Sequence, residues 1–137
     1  MFTYERRACY HETDQMGVIH HSNYLKWMEE ARIHLLDHCG FSYKFMEENG
    51  IISPVTNISI DYKVSCLFDS IAVISVKITE YSGVKMTVEY EIYNKETKEI
   101  YAKALSKHCF IKDKKIVSLK KALPEAHQRM VDFIASF

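Results

Sequence analysis

The segment from residue 22 to residue 40 reads SNYLKWMEEARIHLLDHCG, and its pattern decides the fold. Apolar side chains recur there at spacings of three and four residues, the period of an amphipathic helix. They are Tyr24, Trp27, Met28, Ala31, Leu35 and Cys39. Ser22 suits the N-cap, and Gly40 suits the C-terminal end. The pattern predicts one long helix, about residues 23–39, with Trp27, Ala31 and Leu35 in a hydrophobic core.

Strand patterns dominate the chain after this helix. From Ile58 to Phe68 every second residue is apolar, which predicts a long strand with one buried face. The same alternation recurs over residues 72–78, 84–92 and 100–111. We therefore predict four long strands joined by short turns, with a first short strand within residues 2–10.

Two shorter helices complete the predicted order. A helical turn over residues 42–49 would end at Gly50, and Pro54 prevents its continuation. Pro124 fits the first position of a closing helix, whose apolar side holds Met130, Phe133 and Ile134. The order predicts one α+β domain over residues 1–137, with the long helix against one face of a five-stranded antiparallel sheet.

The composition argues against several classes of protein. The 137 residues include 18 basic and 18 acidic side chains, so the formal net charge of zero argues against a nucleic-acid partner. Charges near the N-terminus argue against a signal peptide, and no stretch reaches the length of a membrane span. The four cysteines are scattered, without a Cys-x-x-Cys pair. We expect a soluble, cytoplasmic protein with reduced thiols and no membrane insertion.

An acidic, histidine-rich loop lies directly before the long helix. A helix start offers unpaired N–H groups and a positive dipole end, which suits a reaction that develops negative charge. Taken alone, Asp14 is equally typical of a turn. His11, Glu12, Asp14, His20 and His21 could also suggest a zinc site. However, His20 and His21 are adjacent and no cysteine pair completes a known pattern, so we expect no metal.

The motif Thr13-Asp14-x-x-Gly17-x-Ile19-x-His21-x-x-Tyr24, followed by Trp27-Met28-Glu29-x-Ala31-Arg32, resembles the signature of the hot-dog-fold acyl-CoA thioesterases. It is most similar to the branch of the 4-hydroxybenzoyl-CoA thioesterase and its Tol-Pal-associated relatives. Gly50-Ile51-Ile52-Ser53-Pro54-Val55 and the later strands follow in the family's order. Two positions depart from the pattern, because the family often has aspartate where Glu12 stands and an aromatic residue where His20 stands.

The resemblance implies a hot-dog fold, in which the sheet wraps the central helix and active sites form between subunits of a homodimer or homotetramer. It implies hydrolysis of an acyl- or aroyl-coenzyme A to the carboxylate and free CoA, without a cofactor. Asp14 would act as general base or as nucleophile. The His21 N–H would polarise the thioester carbonyl, and its side chain could orient Asp14, water or the leaving thiolate.

Further residues are expected to contact the substrate. They are Gly17, Val18, Ile19, Asn23, Tyr24, Thr56, Asn57 and Lys85. Gly17 would let the loop turn past the substrate, a second subunit would supply Thr56 and Asn57, and Lys85 would face the CoA phosphates. Plainer interpretations are a turn glycine for Gly17, a strand start for Thr56 and Asn57, and a solvated lysine for Lys85. Tyr24 could instead pack in the core, and Asn23 could contact the loop or cap the helix.

Two other functions use the same fold. Hydratases and dehydratases act on acyl thioesters, and a non-catalytic subunit could bind acyl-CoA or acyl carrier protein. The Thr-Asp-x-x-Gly signature favours hydrolysis. The sequence leaves open the acyl group, the choice between CoA and acyl carrier protein, and the choice between dimer and tetramer.

Overall fold

A computed structural model describes residues 2–40 and 42–136. A single 3-10 turn, Tyr10–Glu12, lies between the first strand and the first helix. The elements in chain order are β1 (Phe2–Arg7), α1 (Ser22–His38), α2 (Tyr43–Glu48), β2 (Ile51–Ile52), β3 (Val55–Tyr62), β4 (Ile71–Tyr81), β5 (Lys85–Asn94), β6 (Ile100–Cys109), β7 (Ile111–Lys112), β8 (Lys115–Ile116), α3 (Leu119–Ala122) and α4 (Pro124–Ala135).

The main sheet is antiparallel and has the strand order β1-β4-β5-β6-β3. Hairpins join β4 to β5 and β5 to β6, as the turn sequences predict. The prediction of a short turn between β3 and β4 is wrong, because β6 and β5 lie between these two strands in the sheet. Residues 63–70 instead carry the chain across from the edge strand β3 to β4.

The predicted strand from Ile58 to Phe68 is wrong in both its length and its buried face. Strand β3 ends at Tyr62, and its side chains are mostly exposed, including Ile58 at 39% and Tyr62 at 48%. Helix α1 packs chiefly on β1 and β4, toward the opposite edge of the sheet. The apolar face of β3 is therefore left uncovered within one protomer.

The core lies between α1 and the central strands, as the helical period predicts. Trp27, Ala31 and Leu35 are buried against the sheet's apolar face. The assignment of Ser22 as N-cap is wrong, because the helix begins at Ser22 and His21 occupies the cap position without a side-chain bond. The Ser22 hydroxyl lies 2.8 Å from His20 Nδ1, so its hydrogen bond is to a residue that precedes the helix.

The remaining elements follow the predicted order, with one addition. Ser42 caps α2 by accepting the Phe45 N–H, and α4 begins at Pro124. The predicted strand over residues 100–111 ends at Cys109, since the chain then leaves the main sheet for a small sheet of order β2-β7-β8. No helix in the described part of the chain is long and apolar enough to span a membrane.

Candidate active site

Residues 13–19 form a small hairpin immediately before α1. The Asp14 N–H donates to the Val18 carbonyl at 2.8 Å, and Thr13 pairs with Ile19. Gly17 closes the hairpin with φ of +80°, and a Cβ built there meets nothing within 4 Å. The glycine is therefore required by its left-handed backbone and not by crowding within the protomer.

The Asp14 carboxylate lies partly exposed on this hairpin. Its Oδ1 accepts the Met16 N–H at 2.8 Å, so the turn-forming interpretation holds for one oxygen. Within residues 2–40 and 42–136, Asp14 Oδ2 has no hydrogen-bond partner. One carboxylate oxygen is thus free to meet water or a substrate carbon.

His21 occupies the N-cap position of α1 with an exposed side chain. Its ring stacks on that of His20, with centroids 4.2 Å apart, and its carbonyl accepts the Tyr62 hydroxyl at 3.3 Å. The His21 N–H has no acceptor among the residues that the structure describes. A free N–H therefore stands at the positive end of the α1 dipole, where it can donate to an oxyanion.

Glu12 has a structural role in the site that the sequence did not predict. Its buried carboxylate receives the Arg6 guanidinium bidentately, with both N–O distances 3.0 Å, and the Trp27 indole N–H at 2.9 Å. Burial alone would raise the pKa of Glu12, but hydrogen bonds from Cys9 N–H and Trp27, together with Arg6, outweigh it and hold the pKa below its usual value. Glu12 is therefore an ionised anchor beneath the hairpin.

The same anchor connects β1, the hairpin and α1. Arg6 Nε donates to Glu30 Oε1 at 3.0 Å, and the Tyr4 hydroxyl donates to the same oxygen at 2.7 Å. Sequence alternation places Tyr4 and Arg6 on one face of β1. It does not indicate that they meet acidic groups, since this pairing depends on how α1 crosses the strand.

Asn23 connects the start of α1 to Glu12, the residue that precedes the hairpin. Its Nδ2 donates to the Glu12 carbonyl at 2.9 Å, and the His20 N–H donates to that same carbonyl at 2.8 Å. Asn23 is 7% exposed, so its side chain is occupied within the protomer. This geometry favours the plainer of the two interpretations of Asn23, a contact with the loop, over the predicted substrate contact.

The other predicted contact residues lie in different environments. Ile19 and Tyr24 are buried in the core, while Val18 pairs with Leu67 beside the hairpin. Thr56 donates through its hydroxyl to the Lys107 carbonyl at 3.1 Å, where β3 has a bulge. Asn57 and Lys85 are exposed.

Within one protomer these residues fall into two separate groups. Tyr62, at the C-terminal end of β3, contacts His21, whereas Thr56 and Asn57 lie near the strand's other end. At about 3.3 Å per residue, the ends of β3 are about 23 Å apart. Lys85 begins β5 at the same end as Val55, because His108 is opposite both Val55 and Met86. One protomer does not bring the two groups together.

The histidines of the loop do not form a metal-binding cluster with the acids. His11, His20 and His21 are all exposed, while Glu12 is engaged by Arg6. Among the described residues no group of three His, Cys, Asp or Glu side chains is placed to hold a metal ion.

The comparison with known proteins places this fold and loop in a family. The family model described as the thioesterase-like superfamily matches residues 10–131, nearly the whole chain. The chain belongs to this superfamily. The match covers the Asp14 hairpin, α1 and the whole sheet except β1.

Similar proteins support the assignment to the thioesterase-like superfamily. A putative acyl-CoA thioesterase of Bacillus subtilis, YneP, is 42% identical over 120 residues, 86% of each chain. The solved DHNA-CoA thioesterase of Staphylococcus aureus is 35% identical with a TM-score of 0.90, covering 97% of this chain and 90% of that one. A solved hypothetical protein of Aquifex aeolicus is 35% identical with a TM-score of 0.85, covering 92% and 98%.

These likenesses confirm the predicted α+β hot-dog fold with its five-stranded antiparallel sheet. They also agree with a thioester hydrolase, since relatives that cover most of the chain bear that description. The narrower assignment to the 4-hydroxybenzoyl-CoA and Tol-Pal-associated branch stays a prediction.

Proposed function

We propose that this member of the superfamily is an acyl-CoA thioesterase that uses Asp14 and the His21 N–H. Two observations support it among the described residues. The Asp14 carboxylate, on an ordered hairpin, has one oxygen without a hydrogen-bond partner, and the His21 N–H at the start of α1 has no acceptor. A thioester carbonyl bound at that N–H becomes more electrophilic, and the oxyanion of the tetrahedral intermediate is stabilised by the helix dipole.

Asp14 would supply the attacking oxygen in one of two ways. As general base it removes a proton from water, which attacks the carbonyl carbon and expels the CoA thiolate. As nucleophile it attacks the carbon itself, forming a mixed anhydride that water then cleaves. A single turnover in ¹⁸O-labelled water would place the label in Asp14 if water cleaves the anhydride at the Asp14 carbon. We assign no cofactor to either route and place the reaction in the cytoplasm, as the sequence predicts.

A second copy of the chain would complete the site. Strand β3 is an unpaired edge of the main sheet, and such edges pair readily with another strand. Antiparallel pairing of two β3 strands about residues 58–59 would lay the Val55 end of one copy beside Tyr62 of the other. Thr56, Asn57 and Lys85 of the second copy would then approach the Asp14 hairpin, where Gly17 and Val18 lie on the substrate side.

The proposal is tested by replacing Asp14 with Asn. The amide keeps the hairpin's hydrogen bond to Met16 but cannot act as base or nucleophile, so kcat should fall at least about a hundredfold. The change is measured as release of free thiol from acyl-CoA substrates, a readout that a hydratase would not give. Asp113→Asn is the matched control, because Asp113 is an exposed turn residue with φ of 52°, a conformation that Asn tolerates. Full activity in Asp14→Asn would contradict the proposal.

A further inference from the structure

A small cavity lies at the Val55 end of the sheet, away from the protomer's own Asp14. Its volume is about 50 Å³, enough for about three water molecules or one carboxylate group. Its wall is mostly apolar and includes Met86 and Val88 from β5. Residues with polar side-chain groups also line it, namely Glu29 and Arg32 on α1, Tyr43 on α2, Ser53 before β3 and His108 on β6.

Ser53 has a buried hydroxyl without a partner. Its Oγ is inaccessible to solvent and makes no hydrogen bond within residues 2–40 and 42–136. Buried hydroxyls in native proteins are normally paired, and an unpaired one costs free energy. Because Ser53 is a lining residue of the cavity, a rotation about its Cα–Cβ bond would turn this hydroxyl toward a polar group bound there.

Arg32 brings a positive charge to the same cavity. Its guanidinium donates to the Tyr90 hydroxyl at 3.1 Å, and no carboxylate lies within 4 Å of it among the described residues. Tyr90 is held in turn by Ser106, with the two hydroxyl oxygens 2.7 Å apart. The guanidinium is therefore positioned by a part-buried hydrogen bond and still has donors available for an anion.

His108 adds a neutral imidazole to this wall. Its Nε2 lies 2.7 Å from the Ser106 hydroxyl, which completes a chain of hydrogen bonds from Arg32 through Tyr90 and Ser106. Burial, and then the charge of Arg32, lower the pKa of His108 to about 4, against hydrogen bonds with the backbone of Ser53 and Pro54 that raise it. The cavity's fixed interior charge at neutral pH is thus the single positive charge of Arg32.

One acidic residue also borders the cavity. Glu29 is exposed at its mouth, one turn before Arg32 on α1, and makes no ion pair with it. Its charge is weakened by the surrounding water, whereas Arg32 and Ser53 act inside the cavity. Glu29 therefore repels an anion bound in the cavity only moderately.

The position of the cavity relates it to the proposed active site. His108 is opposite Val55 in the sheet, one strand spacing or about 5 Å away. In a dimer paired along β3, this end of one copy faces the Asp14 hairpin of the other. An acyl group whose carbonyl lies at the partner's His21 N–H could extend past Val55 into the cavity.

We propose that the cavity binds a carboxylate at the far end of the acyl group, held by Arg32 and by the Ser53 hydroxyl. The enzyme would then prefer short acyl-CoA thioesters of dicarboxylic acids over unsubstituted acyl-CoA thioesters of equal length. This inference rests on the proposed function for its placement in the reaction, but the cavity's affinity for a carboxylate is independent of turnover.

The test measures the hydrolysis of matched pairs of substrates by the wild-type protein. The pairs are succinyl- and butyryl-CoA, adipyl- and hexanoyl-CoA, and suberyl- and octanoyl-CoA. We expect kcat/KM for at least one pair to favour the dicarboxylic member about tenfold or more, as charge-assisted hydrogen bonds allow. No preference for the dicarboxylic member in any pair would overturn the proposal.

Two variants assign the preference to the cavity. Ser53→Ala should lower kcat/KM of the preferred dicarboxylic substrate about tenfold, with no loss for its unsubstituted partner and no fall in Tm, because the lost hydroxyl has no partner in the free protein. Arg32→Gln should lower kcat/KM of the dicarboxylic substrate further. Glu29→Gln is the matched control on the same helix and should raise the preference or leave it unchanged. Equal losses for both members of the pair, in Ser53→Ala, would show a structural effect and overturn the proposal.

Calorimetry with small ligands separates this inference from the proposed function. Hexanoate should bind the wild-type protein more tightly than 1-hexanol, which has the same chain length and no charge, and Ser53→Ala should reduce the difference. If no thioester is hydrolysed but this difference is found, the cavity assignment stands and the thioesterase proposal fails. If thioesters are hydrolysed and hexanoate binds the wild-type protein no more tightly than 1-hexanol, the cavity assignment fails alone.

Discussion

Glu12 accepts four hydrogen bonds from Arg6, Cys9 and Trp27 although its side chain is almost fully buried. A buried carboxylate is tolerated only when its charge is compensated, and here the compensation comes from Arg6 on β1 and Trp27 on α1. Asp14 is two residues away on the hairpin that Glu12 anchors. The orientation of the proposed catalytic carboxylate therefore depends on an ion pair that makes no contact with the substrate.

Replacing Glu12 with Gln should destabilise the fold and slow the reaction. The amide places a donor against Arg6 and removes one of the two carboxylates that neutralise this largely buried guanidinium, at a cost of about 3 kcal/mol in the free energy of unfolding. Urea denaturation would measure this cost, and kcat should fall because the hairpin loses its anchor. Glu30→Gln is the control, since Glu30 is more exposed and should lose about 1 kcal/mol or less. A Glu12→Gln protein as stable as wild type would contradict the role of anchor.

His108 should make the stability of the protein sensitive to mildly acidic pH. Its pKa is about 4 in the fold against 6.5 for an ordinary histidine, so the unfolded chain binds a proton first as the pH falls. Its contribution is complete above about pH 6.5 and is lost as the pH falls toward 4, by about 2 kcal/mol between pH 7 and pH 4.5. Urea denaturation at these two pH values measures it, and His108→Gln should remove this part of the pH dependence. An unchanged dependence in that variant would assign it to other groups.

Among the elements, α1 was predictable to within one residue at each end, because its apolar stripe is a local property of the sequence. Strands β4 and β5 were equally clear from alternation. Strand β3 was not, since its burial depends on its position at the sheet edge and its pairing with β6, which is distant in sequence. The Arg6–Glu12 pair and the cavity wall were not predictable either, because both depend on how α1 packs against the sheet. Local patterns found the Asp14 hairpin, and only the folded chain shows what supports it.

The Asp14 hairpin offers a test at the level of a single element. Gly17→Ala should cost about 1 kcal/mol in the free energy of unfolding, because φ is +80° and no neighbouring atom adds a clash. It should also lower kcat/KM about tenfold or more if the hairpin must hold Asp14 in place. Gly50→Ala is a matched control, with φ of +76° and no contact closer than 3.8 Å, away from the hairpin. Its stability loss should be similar while its kcat/KM stays at the wild-type value. Equal activity losses in both variants would show that the effect is not specific to the hairpin.

For the whole molecule, the uncovered face of β3 is the feature that one protomer leaves unexplained. Val55, Ile58 and Tyr62 are large apolar side chains that remain well exposed along a bare strand edge. Such an edge and such side chains are ordinarily covered in a stable assembly. Covering them with a second β3 strand also brings together the two groups of predicted site residues. Burial and chemistry thus favour the same dimer.

A dimer with shared sites predicts that two inactive variants restore each other. Asp14→Asn removes the carboxylate, whereas Ser53→Leu fills the cavity of the copy that receives the acyl group and leaves Asp14 intact. When the two are unfolded together and refolded, half of the dimers are mixed and each holds one intact site, so activity should recover to about a quarter of wild type. Thiol release measures the recovery, and each variant refolded alone is the control. If the mixture is no more active than its components, each site is complete within one protomer and the shared-site dimer is wrong.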